Sequence, residues 1–471
     1  VGMPEWVQEI VPIGMLLVVV TLVVMRLPKV DVGHTDAFRR RRLMNWLPLG
    51  LTYAFLYMGR YNLTAAKNAG AITGEEFGTI FGYGAMVYGL SFFLNGPIAD
   101  RFGGRITILI SSFGSAFANL AMGFLLLNRE GDADIVTPFI FLYAINMYFQ
   151  SFGAVSIVKV NSAWFHVTER GVFGGIFGVL ISLGIYFAFD GLPKVVEAFE
   201  LAPHWLFFLP AGVLLVAWMI DLGIVRALPS GAGHVDFDTG DASSGDDGPQ
   251  ESPISVLKRM LSSRIILTIA AIEFCSGFLR NAIMHWYRDL AKGLSMTDQF
   301  VYDNWGMLLC IAGILGGMFA GVISDRLFQS RRGPVAGVLY GFMILGCVGV
   351  YFGLNAPLTI GYIVIFMSMC VIGVHGMLSG TASMDFGGKR NAGIAVGLID
   401  GCVYLGTTLQ SFMLGSMLPE KGTPEAADVG SWAIWPMVMA PMAVIGFVLA
   451  LQMWNAKPKP KDNKTAASAD G

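Results

Sequence analysis

Charge is what this chain is short of: of its 471 residues only 14% are charged, while 55% are hydrophobic. Soluble domains run near a quarter charged, so the composition excludes an ordinary globular protein and implies many membrane crossings. A net charge of −2 offers nothing to a nucleic acid. Cysteine is scarce too. Cys275, Cys310, Cys347, Cys370 and Cys402 are odd in number, lie in apolar stretches and lack ligand spacing. Neither disulfides nor a metal site are therefore expected. No Walker sequence, no H-E-x-x-H and no G-x-S-x-G occurs, so neither an enzyme nor a bound cofactor is expected.

What the chain has is long apolar runs. Taken at about 20 residues per span, they place a leading helix near 7–25. Twelve more fall near 45–68, 77–98, 106–127, 136–162, 172–192, 204–225, 265–286, 300–323, 335–354, 358–380, 393–416 and 431–454. Basic residues orient them. Lys67, Arg129, Lys194, Arg288, Lys292 and Lys421 fall in intervals assigned outside, and Arg60, Lys159 and Arg280 at membrane depth. All other Lys and Arg residues, including the run Arg39–Arg42, fall on the cytoplasmic side. Arg26 and Lys29 follow the leading apolar run instead of preceding it, so that run reads as a retained helix, not a signal peptide.

The expected organisation follows. Residues 1–44 hold the extra N-terminal transmembrane helix and a basic cytoplasmic linker, with the N-terminus outside. Residues 45–226 and 261–455 form two helical bundles with a central cavity. Between them, 227–260 carries Asp236, Asp238, Asp241, Asp246, Asp247 and Glu251 among Gly and Ser, and reads as a flexible acidic cytoplasmic linker. Residues 456–471 read as a disordered cytoplasmic tail. The expectation is an all-α, multi-pass, monomeric protein of a bacterial inner membrane, with the core's two termini cytoplasmic.

The two halves repeat each other. Gly96-Pro-Ile-Ala-Asp100-Arg101-Phe-Gly-Gly-Arg105 closes the second core span, and Gly321-Val-Ile-Ser-Asp325-Arg326 closes its counterpart at a near-constant offset. Arg60 and Arg280 recur at that offset, as do Gly171 and Gly393. Two six-helix bundles related by an axis along the membrane normal follow. The glycines allow close helix approach, and Asp100, Arg101, Arg105, Asp325 and Arg326 are expected to make charge contacts that stabilise one closed state. The pattern resembles the cytoplasmic signature of the major facilitator superfamily.

Arg60 and Arg280 lie at similar distances past Arg42 and Arg264, roughly 24–27 Å along their helices at 1.5 Å per residue. A cation at membrane depth costs about 3 kcal/mol on insertion scales, so it persists mainly where it lines a wet cavity or meets a counter-charge. Two facing guanidiniums suit a dianion, most naturally a phosphate gripped by paired hydrogen bonds. Tyr53, Tyr57 and Arg60 share one helix face, and Tyr88 and Tyr404 are further phenol donors at corresponding depths. Lys159 is a third buried cation, read either as holding ligand charge or as pairing with Asp400 or Glu273. Those two acids read as structural counter-ions or as proton carriers. His285 and His375 read as hydrogen-bonded packing residues.

At Gly313-x-x-Gly316-x-x-x-x-Gly321-x-x-Ser324-Asp325-Arg326-x-Phe328-x-x-x-Arg332-Gly333, Tyr57-x-x-Arg60-x-Asn62, Leu279-Arg280-x-x-x-x-Trp286 and Tyr404-Leu405-Gly406, the chain resembles the organophosphate:inorganic phosphate antiporters of that superfamily. The resemblance spans roughly 45–416 and implies the major facilitator fold. It also implies exchange of a sugar-phosphate or glycerol-phosphate type of anion for inorganic phosphate by alternating access. It assigns phosphoryl binding to Arg60 and Arg280, gives Lys159 the basic position of the fourth core helix, and places Tyr53, Tyr57, Tyr88 and Tyr404 in the cavity. Phe92, Ile181 and Cys310 stand where members carry a lysine, a histidine and an acid, so the pocket around the organic moiety is expected to differ. Two other functions are compatible with the same fold: a proton-coupled organic-anion symporter using Asp400 or Glu273, and a membrane sensor of sugar phosphates.

Overall fold

The computed structural model describes residues 18, 21, 33–129, 134–166, 169–239, 253–328, 331–382 and 392–455. Most of the leading span near 7–25 lies outside these residues, as do 240–252 and the tail beyond 455. The fold is all-helical among the described residues. Its long helices are α1 (Asp36–Asn68), α2 (Gly74–Phe102), α3 (Gly104–Leu127), α4 (Val136–Ser162), α5 (Arg170–Tyr186) and α6 (Trp205–Ile224) in the first half. The second half has α7 (Arg264–Gly293), α8 (Trp305–Leu327), α9 (Arg332–Gly353), α10 (Ile360–His375), α11 (Ala392–Met417) and α12 (Ile434–Gln452). Each falls on one of the core apolar runs. Nine helical stretches among the described residues are long and apolar enough to cross a membrane, and residues such as Phe117, Phe141, Val158, Leu345 and Tyr362 stand exposed, as lipid-facing side chains do.

Local chemistry sets the helix ends. Thr35 Oγ1 accepts from the Phe38 amide (3.2 Å) to start α1. At α2, Thr73 and Glu76 form a reciprocal capping box (3.1 and 2.7 Å). The Gly-Gly of the repeat motif has separate uses. Gly103 turns the chain between α2 and α3 at φ 82°, a conformation that costs glycine little. A Cβ on Gly104 would sit 2.7 Å from the Ser156 carbonyl.

Lipid supplies no hydrophobic drive between helices, so close approach depends on small residues. On α7, a Cβ on Gly277 would fall 2.0 Å from the Val403 carbonyl; on α11, a Cβ on Gly406 would fall 2.0 Å from that of Phe274. The two halves meet along α2–α11 and α5–α8. Gly78 lies against Ser411 and Gly415, Gly89 against Gly401, and Gly313 against Ser182.

The π-helical segment Phe187–Gly191 continues α5, and such widened turns often mark functional positions. Here it delivers Asp190 to the other half, where the carboxylate accepts from Arg288 (2.8 Å) and from the Met307 amide (2.8 Å). Nearby, Lys67 of α1 donates to Asp289 of α7 and to the His285 carbonyl (2.7 Å). Lys292 and Lys421 both donate to the Asn68 carbonyl (2.5 and 3.2 Å), and the Gly74 amide to Glu420 (3.3 Å). Thr64 and His285 add a bond between halves at 2.8 Å. The polar contacts that join the halves between described residues therefore concentrate at the end bearing Lys67. At the opposite end, polar contacts hold the first half to itself: Arg42 donates to both Glu169 oxygens (2.9 and 3.0 Å), and Asn45 to the Arg226 carbonyl (3.2 Å).

The stretch read as a flexible linker is ordered at both margins. Pro253–Leu261 is a helix whose Val256 and Met260 pack with Ile266 and Leu398. Before it, Phe237 packs edge-on against Phe38 and His34. Apolar residues spaced among the charges anchor these margins, a feature that composition averages away.

The α7–α11 contact is backbone against backbone and cannot absorb a methyl group. Gly277→Ala is expected to lower stability by about 1–3 kcal/mol, whereas Gly212→Ala, with nothing within 4 Å, is not. Thermal unfolding of the two variants in detergent checks this; equal midpoints would contradict the packing.

Candidate functional site

The site grows from one face of α1, where Tyr53, Tyr57, Arg60, Thr64 and Lys67 succeed one another at helical spacing. Arg60 is wholly buried. Its Nε donates to Gln150 Oε1 of α4 at 2.8 Å, one terminal nitrogen to the Tyr404 hydroxyl of α11 at 2.9 Å, and the other to the Tyr88 hydroxyl of α2 at 3.0 Å. The guanidinium carbon also lies 4.2 Å from the Tyr88 ring centroid and 4.7 Å from that of Tyr57, within cation–π range. Tyr88 and Tyr404 meet with centroids 4.2 Å apart. Every hydrogen-bond acceptor of Arg60 is a neutral oxygen. The charge is solvated by dipoles and quadrupoles, not neutralised.

Behind Gln150 runs a buried amide network that reading the sequence missed. Its Nε2 donates to Ser115 Oγ (3.1 Å) and Asn146 Oδ1 (3.2 Å). Asn146 and Asn119 both donate to the Gly59 carbonyl (3.0 and 3.1 Å), and Asn62 to Asn119 Oδ1 (2.7 Å). This network locks the Gln150 oxygen toward Arg60 and fixes the backbone beside it. The available signal was polar pairs at i, i+4 inside apolar spans: Ser115 with Asn119, and Asn146 with Gln150.

Arg280 of α7 differs. Its Nε is buried without a hydrogen-bond partner, and among the described residues its guanidinium enters no ion pair. Tyr57, Tyr61 and Tyr404 lie within electrostatic range of both Arg60 and Arg280, so the two cations share one aromatic wall. Tyr61, absent from the sequence-based candidates, belongs to that wall. Two turns earlier on α7, Glu273 pairs with His375 Nδ1 of α10 at 2.8 Å, while Asp400 of α11 accepts from Ser379.

The structure brings Arg60, Arg280, Tyr57, Tyr88 and Tyr404 into one cluster. Tyr53 borders it, its ring 5.3 Å from that of Tyr57. Lys159 is not brought in. It occupies the last turn of α4 beside Gly104, about 13 Å further along the helix axis than Gln150, and it pairs with neither Glu273 nor Asp400. Position within an apolar run could not reveal how far α4 extends toward the α2–α3 turn. Both histidines are hydrogen-bonded between helices, as expected: His375 to Glu273 (2.8 Å), and His285 to Thr64 (2.8 Å) and Asn281 (3.0 Å). Of the motif charges, Arg105 donates to the Leu222 and Val225 carbonyls (both 2.8 Å), satisfying the end of α6 within its own half, and Arg101 is exposed. The side chains of Asp100, Asp325 and Arg326 lie outside the described set.

Comparison with known proteins gives this arrangement its context. The chain is 28% identical over 449 residues to the glycerol-3-phosphate transporter of Bacillus subtilis (strain 168), covering 91% of this chain and 96% of that protein. It is 23% identical over 442 residues to the membrane sensor protein UhpC of Salmonella typhimurium, covering 91% and 95%. Among solved structures, a bacterial homolog of the human lysosomal transporter Spinster aligns with a TM-score of 0.67 at 12% identity, covering 89% of this chain and 97% of that one. A D-xylose-proton symporter aligns with a TM-score of 0.62 at 13% identity, covering 91% and 99%. With the Major Facilitator Superfamily profile matching residues 49–411 on an all-helical, multi-pass architecture, this chain belongs to the major facilitator superfamily.

Proposed function

We propose that the protein is a secondary transporter that exchanges a phosphorylated organic anion, of the sugar-phosphate or glycerol-phosphate type, for inorganic phosphate. The observation that carries this reading is the pair of guanidiniums on one tyrosine wall, neither in an ion pair with a described residue. A guanidinium keeps its proton under all ordinary conditions, so a ligand anion is the counter-charge that each can contact directly. A phosphoryl group offers a double negative charge and the oxygen geometry that an arginine fork grips. The curated relatives named for glycerol phosphate point to the same chemistry.

Arg60 stands ready but occupied: a ligand phosphate takes over donors now held by Tyr88 and Tyr404. Since Tyr404 sits on the second half, the ligand replaces a contact between halves by one that it mediates itself. Arg280, whose Nε has no hydrogen-bond partner, supplies the other grip. With the end bearing Lys67 sealed by Lys67–Asp289 and Arg288–Asp190, the loaded carrier crosses by loosening those contacts as the opposite end closes. The positive-inside bias assigns the Arg42 end to the cytoplasm, so the sealed end is the outer one. A ligand shifts such an equilibrium only through differential affinity for the two states. Closing over two unneutralised cations is unfavourable in a low-dielectric interior, and a bound dianion removes that barrier. Exchange without net leak follows.

Proteoliposomes loaded with phosphate are expected to take up labelled phosphate, and unloaded ones to take up little; equal uptake by both would refute exchange. Arg280→Lys is expected to lower exchange roughly tenfold or more, on the scale of one charge-assisted hydrogen bond, and undiminished flux would remove it from the clamp. Asp289→Asn breaks the seal beside Lys67. A cysteine placed by Thr64→Cys, facing the other half, is then expected to react several-fold faster with an impermeant maleimide from the Lys67 side. An unchanged rate would show that this ion pair does not hold that end shut.

A further inference from the structure

Glu273 is a carboxylate that the phosphate clamp does not use. It is fully buried in α7, one oxygen bonds to His375 Nδ1 at 2.8 Å, and the other, Oε1, has no partner. It precedes Arg280 by two helical turns on the same face, roughly 10 Å along the axis. Asp400, held by Ser379, lies within electrostatic range of Glu273, His375 and Arg280. The other groups that interact with the Glu273–His375 pair among the described residues are Tyr340 from α9 and Cys275 and Arg280 from α7 itself. α12 carries no titratable residue.

Counting charge across this centre exposes a deficit. A bound phosphate dianion takes up the charge of Arg60 and Arg280, and Glu273 and Asp400, which lie within electrostatic range of Arg280, then share that cation with the ligand. With both carboxylates ionised, the loaded centre then carries more negative than positive charge. Buried like charges are relieved most directly by a proton. Glu273–His375 is the place for it: one carboxylate oxygen is already hydrogen-bonded to the imidazole, and the unpartnered Oε1 is an acceptor with nothing else to satisfy it.

Resting on the phosphate reading of the arginine pair, we propose that binding of a phosphate dianion draws a proton from the aqueous phase onto the Glu273–His375 pair, so that anion and proton cross together. The proton leaves water or buffer on the open side and adds to the carboxylate–imidazole pair; no bond in the ligand breaks. Release of the anion on the far side returns the proton there.

Proton uptake separates from binding in a calorimetric titration. The purified full chain in detergent is titrated with inorganic phosphate at about pH 8.5, where the free ligand is already predominantly a dianion, in two buffers of different protonation enthalpy. The expected result is a binding heat that depends on the buffer, corresponding to about one proton taken up per ligand. In Glu273→Gln, phosphate is expected to bind while that uptake falls several-fold; His375→Gln gives the same loss and carries the test should the first variant not fold. A buffer-independent heat in the unaltered protein overturns the proposal, as does uptake undiminished in both variants, which would put the proton on the ligand itself. Absence of any phosphate-binding heat overturns the phosphate reading as well, so the two failures are told apart.

Discussion

A guanidinium that cannot shed its proton, placed where lipid and protein exclude water, has to be met by something. For Arg60 the chain provides phenol and amide oxygens and two aromatic faces, enough to solvate the charge and too little to cancel it. For Arg280 it provides still less. The rest of the first half is arranged around this condition: the Ser115–Asn119–Asn146–Gln150 network gives the Arg60 Nε a fixed acceptor, and Tyr143 donates to the Arg60 carbonyl at 2.8 Å. A buried amide network that is fully connected rigidifies its surroundings, so the cation is held in place without being paired. On the proposed reading, such a site is poised for an anion because the described residues in contact with the cation are neutral.

Much of this was legible in the sequence because membranes impose simple rules. Apolar run length gave the core helices, and the recurrence of Arg60 at Arg280 singled out two buried cations before any coordinates. The stripe from Tyr53 to Arg60 was legible because helical spacing alone puts those residues on one face. What stayed hidden needed the third dimension. Nothing in the neighbourhood of Gln150 in sequence says that it faces α1, and nothing near Glu273 says that a histidine more than a hundred positions on will meet it. Lys159 illustrates the converse: an apolar run records membrane burial, but not the level at which a residue sits relative to a site on another helix.

The charges at the two ends illustrate a further division. The repeat motif drew attention to one end because its residues are distinctive in sequence. Yet Arg105 and Arg42 hold helices of the first half to one another, whereas the contacts between halves use Lys67, Asp190, Arg288 and Asp289, which carry no motif. Ion pairs that break in a transport cycle need no strict pattern, only opposite charges on surfaces that meet. Asp190 reaches its partners because a π-helical turn shifts the register of α5, and that turn has no signature in composition.

The same logic explains why the clamp is lopsided. Had both arginines been tied to phenols, a ligand would have to displace protein donors on both halves before gaining anything. Had both been bare, the empty site would hold two cations with no solvation from the protein at all. With Arg60 tied across the interface to Tyr404 and Arg280 in no ion pair with a described residue, the unloaded protein keeps a weak, neutral contact between halves at its centre. A ligand oxygen at Arg60 is charged where the phenol oxygen is not, and hydrogen bonds to charged groups are the stronger kind. Substitution of one for the other therefore strengthens the link between halves at the moment the cavity is filled, and it is that difference, not total affinity, on which a change of conformation can draw.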